Sequence, residues 1–153
     1  MSKSSFVYVT YIRTTPEKLW QALIDPEFTR KYWYEAWQES EWKPGASWRL
    51  MIPDGRVMDA GQVVDIEPHR RLVLSWRNEF KPELSAEGYS RLTYLLEAQG
   101  DTVKLTVMHE INVAGSKFIE AVSNGWPQIL ASLKSLLETG VSLEATRRWP
   151  KGM

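Results

Sequence analysis

Residues 39–111 alternate apolar and polar positions with a period of two, and beyond residue 117 the apolar positions fall three and four apart. The first pattern predicts strands over 40–42, 47–52, 57–67, 71–77, 89–98 and 102–111. Turn signals separate them: Lys43-Pro44-Gly45, Pro53-Asp54-Gly55, Pro68-His69-Arg70 and Gly100-Asp101. The second pattern predicts one long helix whose apolar stripe carries Phe118, Val122, Trp126, Ile129, Leu130, Leu133, Leu136 and Leu137. Glu138-Thr139-Gly140 is a natural stop for it, and the segment 141–153 reads as a poorly anchored tail. Pro127 lies inside the stripe and removes a backbone hydrogen bond. Either the helix kinks there, or a loose first part, 116–123, gives way to a firm second part.

The chain opens with a β-branched and aromatic run, 6–13, that predicts a further strand. Thr15 is a fair N-cap and Pro16 suits a first helical position, so a short helix follows with Leu19, Trp20, Leu23 and Ile24 inward. Asp25-Pro26 ends it and opens a second, carrying Phe28, Tyr32 and Trp33. Gly61 sits inside the strand over 57–67 and predicts a bulge or bend. Asp59 and Asp65 share the alternation of that strand and are expected to face water. The order is β-α-α-β6-α. Strands grouped apart from helices give α+β: a curved antiparallel sheet wrapped around the C-terminal helix, with two short helices after the first strand. A sheet gripping one helix can leave a cavity between them, and function is expected there.

A chain of 153 residues is expected to be a single domain, with its core over about 5–140. Nineteen basic residues balance nineteen acidic ones, so no net charge draws the chain to nucleic acid or an anionic membrane. The absence of cysteine excludes disulfides and thiol chemistry. No apolar core of a signal peptide follows Met1, and no apolar run approaches membrane-spanning length. The expectation is a cytoplasmic protein. Eight Trp, six Tyr and four Phe are the anomaly, because large aromatics both fill cores and line ligand pockets.

Several stretches carry a resemblance. Tyr11 to Trp20 followed by Leu23-Ile24-Asp25-Pro26-Glu27, then Trp42-Lys43-Pro44-Gly45, Gly61 to Ile66, Arg71 to Trp76 and Gly125-Trp126-Pro127-Gln128-Ile129-Leu130 come in the order of the SRPBCC (START/birch-allergen-like) superfamily. More narrowly, the chain resembles the activators of the heat-shock-protein-90 ATPase. The resemblance implies a helix-grip fold closed at one end by the two small helices. It implies binding of hydrophobic small molecules, cyclase or dehydratase activity, or stimulation of a chaperone ATPase in a stress response. The extra N-terminal domain that the eukaryotic co-chaperones carry is not expected here, which argues against that last reading.

Catalytic signals are poor. No Gly-rich phosphate loop or nucleophile elbow is present, and the two histidines show no ligand spacing, so no catalytic residue, metal or cofactor is assigned. His109 shares a strand face with Val103, Leu105 and Val107. It either orients a ligand or moves a proton inside an apolar pocket, or is a core histidine bonded to backbone or water. Trp20 and Trp126 lie on helical stripes and read most simply as core. Trp33, Tyr34, Trp37, Trp42 and Trp48 form either an aromatic wall, or the packing of a small lid or a homodimer surface. The leading expectation is a small apolar or amphipathic ligand between sheet and helix. Leu92, Tyr94, Leu105, Val107 and Trp76 would form the floor, Phe118, Val122, Trp126 and Leu130 the roof, and Phe28, Tyr32 and Trp33 the gate, with His109, Tyr94 and Tyr32 as the polar groups that fix orientation. A chaperone-binding protein and a cyclase or dehydratase using His109 are the alternatives, with a homodimer open.

Overall fold

The computed structural model describes residues 3–150. Strand β1 (Ser4–Ile12) leads into two short helices, α1 (Pro16–Ile24) and α2 (Pro26–Tyr32). Thr15 caps α1, its hydroxyl accepting from Lys18 N at 3.2 Å, and the Asp25 carboxylate caps α2, accepting from Glu27 N at 2.8 Å. Strands β2 (Trp37–Ser40), β3 (Ser47–Met51), β4 (Val57–Glu67) and β5 (Arg71–Asn78) follow, then a one-turn helix α3 (Pro82–Ser85). Strands β6 (Ser90–Gln99) and β7 (Thr102–Ile111) precede the long helix α4 (Lys117–Thr139).

All strands join one antiparallel sheet in the order β1-β7-β6-β5-β4-β3-β2. Alternation sets its faces. Leu92, Tyr94 and Leu96 of β6 and Val103, Leu105, Val107 and His109 of β7 are all buried against the helix. Helix α4 lays Phe118, Ile119, Trp126, Ile129, Leu130 and Leu133 onto that face. Full burial of each such side chain contributes about 1.5–3 kcal/mol. The helix starts firmly: the Ser116 hydroxyl accepts from Ile119 N at 3.1 Å, and the Glu87 carboxylate accepts from Lys117 N at 2.9 Å. It stops at Gly140, whose φ of 84° is the left-handed cap that glycine adopts without strain.

The architecture is the expected α+β arrangement, with differences at particular places. Helix α4 runs unbroken through Pro127 as a single element. The second strand lies at Trp37–Ser40, ahead of the expected 40–42. Its buried residue is polar: the Gln38 amide donates to the Leu23 carbonyl, and its oxygen accepts from Trp48 Nε1 at 2.8 Å. Gly61 is a point of close approach, since a Cβ there would lie 1.8 Å from the Ser75 carbonyl oxygen of β5. The register shift comes just after it, between Val63 and Asp65.

Two expectations are overturned. Asp59 does not face water; it is 5% exposed. It shares the inner face with Val63, and the shift beyond Val63 sends only Asp65 outward, to an ion pair with Arg71. The tail is not loose over its described part. A 3₁₀ turn at Glu144–Thr146 presents the Thr146 carbonyl to Tyr34 N at 2.7 Å, the Ser132 hydroxyl accepts from Leu143 N at 2.9 Å, and the Glu35 carboxylate accepts from Trp149 N at 3.1 Å. Residues 151–153 lie outside the described residues.

Candidate functional site

The inner face of β3, β4 and β5 is covered only in part by α4. A cavity of about 370 Å³ remains between them. Leu50, Met58, Asp59, Trp76 and Asn78 form its sheet side, and Phe118, Val122, Gly125, Trp126 and Ile129 its helix side. Trp33 and Tyr34 close one end, Phe80, Lys81 and Leu84 border another, and Trp149 and Pro150 of the tail complete the wall. The volume is at the small end of the range for ligand sites. Gly125 is the device that keeps space open on the helix side, because a Cβ added there would meet nothing within 4 Å. A mid-helix glycine costs about 0.5–1 kcal/mol relative to alanine.

Indoles pack densely around this space. The rings of Trp33 and Trp126 lie 5.3 Å apart, those of Trp76 and Trp126 5.8 Å, and those of Trp48 and Trp76 4.3 Å. The tail is tied down at a strained turn. Tyr34 and Glu35 hold left-handed backbone angles, φ 52° and 64°, and there Tyr34 N donates to the Thr146 carbonyl while the Glu35 carboxylate accepts from Trp149 N. The Tyr34 hydroxyl donates to Gln128 of α4 at 3.2 Å.

Asp59 is the polar centre of the wall. Oδ1 accepts from Asn78 Nδ2 at 3.2 Å, and the Asn78 carbonyl oxygen is fixed in turn by Phe80 N and Lys81 N at 3.0 and 2.9 Å. Asp59 enters no ion pair among the described residues. Burial therefore pushes its carboxyl up to about 7, against the smaller favourable effects of the Trp76 indole and Asn78. The Trp76 N–H lies near enough to favour the carboxylate, yet it makes no hydrogen bond of ordinary geometry and stays buried without a partner. The cavity thus holds an acid poised near neutrality and an unspent donor beside it.

His109 lies behind this wall, fully buried. Trp126 Nε1 donates to its Nδ1 at 3.1 Å; an indole N–H can only donate, so Nδ1 carries no proton. Nε2–H therefore donates to the Ser90 hydroxyl at 2.9 Å, which donates onward to the Trp76 carbonyl at 2.7 Å. Burial lowers the imidazole to about 3, and both nitrogens are committed. It ties α4 to the sheet and has no atom left to orient a ligand or carry a proton.

Of the residues expected at the site, Trp33, Trp76, Phe118, Val122 and Trp126 come together around the cavity. Leu92, Tyr94, Leu105, Val107 and Leu130 do not; they are buried in the core. Tyr32 is buried with its hydroxyl donating to the Ala22 carbonyl at 2.7 Å, and Phe28 packs at the edge of the core. The space lies toward β3–β5, and no residue of β6 or β7 lines it. Asp59, Asn78, Gly125 and Trp149 are among the lining residues that the sequence did not point to. An unpaired acid on the inward parity of its strand was the available signal for the first. Among the described residues no group of acids and histidines is placed to hold a metal, and no helix is long and apolar enough to cross a membrane.

A bent antiparallel sheet gripping one long helix, closed by two short ones and hollow between them, defines the helix-grip class of the SRPBCC superfamily. Within it, the chain belongs to the Activator of Hsp90 ATPase homolog 1-like family, whose model matches residues 13–138. Among solved structures, it resembles a Mesorhizobium loti protein with TM-score 0.75 at 22% identity, the match covering 88% of this chain and 96% of that one. It also resembles an Hsp90 activator from Plasmodium falciparum, with TM-score 0.70 at 22% identity over 87% and 95% of the two chains. An Aha1 dimer from Colwellia psychrerythraea matches with TM-score 0.70 at 18% identity over 90% and 98%. At these identities the likeness carries the fold. A comparison with curated proteins finds no match.

Proposed function

We propose that this protein binds a small amphipathic molecule in the cavity between α4 and strands β3–β5. Its apolar body packs against Trp33, Phe118 and Trp126, and its polar end meets Asp59 and the Trp76 N–H. The observation that carries this reading is the unspent hydrogen-bonding capacity at an otherwise apolar, partly enclosed wall. Burying apolar surface there supplies roughly 25 cal/mol per Å², while the polar pair selects orientation. Gly125 supports the same reading, because it leaves unfilled a volume that alanine or leucine would occupy at a gain in helix stability.

Native mass spectrometry of freshly purified protein tests it. The expected result is a co-purifying small molecule that is absent from Gly125→Leu, a variant that fills the space. Protein of bare mass, with no change in tryptophan emission on adding 3-phenyl-1-propanol, 3-phenylpropylamine or 3-phenylpropanoate, overturns it.

Family membership favours a second reading, an interaction with an Hsp90-type chaperone. Stimulation of a chaperone ATPase by the purified protein is its test, and an unchanged turnover rate rejects it. A homodimer is compatible with either reading, and sedimentation velocity distinguishes it from a monomer.

A further inference from the structure

The cavity wall carries an acid that no cation among the described residues neutralises, and this bears on what the wall accepts. Asp59 is almost fully buried, its side-chain neighbours that favour the carboxylate are the uncharged Asn78 amide and Trp76 indole, and it enters no ion pair among the described residues. Buried carboxylates are ordinarily matched by a cation. The nearby cations are committed elsewhere. Arg77 is held by Glu79 at 2.7 Å and stacks over Tyr89, while Arg56 pairs with Asp54 at 2.8 Å and stacks over Phe80. Lys81 borders the cavity but is exposed to solvent, and Glu79 adds further negative potential at Asp59. From α4 the cavity receives only uncharged side chains, from the α2–β2 turn the Tyr34 phenol, and from behind Trp76 the neutral His109. The rest of the wall is indole and phenyl, whose negative faces attract cations within about 6 Å of a ring centroid.

Resting on the ligand-binding reading above, we infer that the polar group this cavity takes is a protonated amine or quaternary ammonium, paired with Asp59 among the rings of Trp33, Trp76 and Trp126. A carboxylate ligand would meet Asp59 as a like charge, and an alcohol would leave the acid uncompensated. Only a cation both supplies the missing partner and uses the aromatic wall.

The pH dependence follows. Below pH 7 Asp59 must release its proton before it can pair, so amine affinity rises with pH up to about 7 and is flat above. Tyr34 is raised above its ordinary value by burial and His109 is lowered, so neither titrates in that interval.

Three probes that share one body and differ in charge provide the test: 3-phenylpropylamine, 3-phenyl-1-propanol and 3-phenylpropanoate, followed by tryptophan emission on the full chain. At pH 8 the amine should bind at least about tenfold more tightly than the alcohol, and the acid more weakly than the alcohol. Lowering the pH to 5.5 should weaken the amine several-fold, and at most about 30-fold, while leaving the alcohol unchanged. In Asp59→Asn the amine should fall to within about twofold of the alcohol and lose its pH dependence. An alcohol as tight as the amine at pH 8, an acid tighter than either, or an amine preference that survives Asp59→Asn overturns the inference. The charge series on the unaltered protein decides even where that variant fails to fold. Binding of the alcohol without amine preference removes this inference alone. Binding of none of the three removes the ligand-binding reading with it.

Discussion

Replacing Asp59 by asparagine should stabilise the protein, and by an amount that grows with pH. The folded carboxyl titrates near 7, against an ordinary 3.8. Below pH 4 both folded and unfolded chains hold the proton, and the group is neutral in both. As pH rises from 4 to 7 the unfolded chain releases its proton while the folded chain keeps it. Stability is therefore lost at about 1.4 kcal/mol per pH unit, about 4 kcal/mol across the window. Above 7 the loss is complete and constant. Asparagine keeps an oxygen for the Asn78 amide, fits the same volume and never ionises. The variant should match the parent within about 1 kcal/mol at pH 4 and exceed it by about 2–4 kcal/mol at pH 8, the lower figure where water entering the cavity solvates the carboxylate. Urea unfolding followed by tryptophan emission at pH 4, 6 and 8 measures this. His109 is common to both proteins, so its own titration cancels in the difference. A stability difference that does not change between pH 4 and pH 8 would refute the assignment of a buried, unneutralised acid.

With that acid removed, the imidazole should dominate. His109 is neutral in the fold with its value lowered to about 3, so the unfolded chain takes up a proton first and Asp59→Asn should lose about 1.4 kcal/mol per pH unit on acidification below about 6.5; a flat profile by the same urea titrations excludes it. His109→Phe strips the Trp126 N–H of its acceptor and the Ser90 hydroxyl of its donor, and should cost about 2–4 kcal/mol in chemical unfolding. Gly61→Ala drives a methyl into the Ser75 carbonyl, and thermal melts should show a loss of about 2 kcal/mol or more, with near-normal melting counting against the close approach of β4 and β5. Gly125→Ala, in contrast, should gain about 0.5–1 kcal/mol while reducing the space available to a bound molecule, read by melting and by probe titration together.

Local pattern carried most of the architecture. Val57–Glu67 and Thr102–Ile111 are strands at the expected bounds because clean alternation and flanking turns leave no other solution. Thr15-Pro16 and Asp25-Pro26 start their helices because cap and proline act within one turn. Strand β2 was shifted because its Trp-Gln-Glu-Ser has no apolar rhythm, and its inward residue is a glutamine satisfied by partners distant in sequence. The site was less legible for a related reason. Alternation tells which face a residue takes but not how closely a helix lies over that face. Leu92, Leu105 and Val107 were on the correct side and are sealed, whereas Asp59 was on the correct side and borders the space. Reading Asp59 as solvated relied on its charge where its parity with Val63 was the better guide. Trp149 could not be placed because its anchor, the Glu35 carboxylate, belongs to a turn at the other end of the chain.

The sheet order has a consequence for how this chain is made. Strand β1 precedes the sheet's other strands in the chain, yet its neighbour in the sheet is β7, with Ser4 opposite Ile111. On the ribosome it must wait until more than a hundred further residues have emerged before that pairing can form. Closing so long a loop is correspondingly slow. Early translation therefore leaves an unpaired strand waiting for its neighbour, and a holdase that shields it should raise the yield of native protein more than any aid to the later strands.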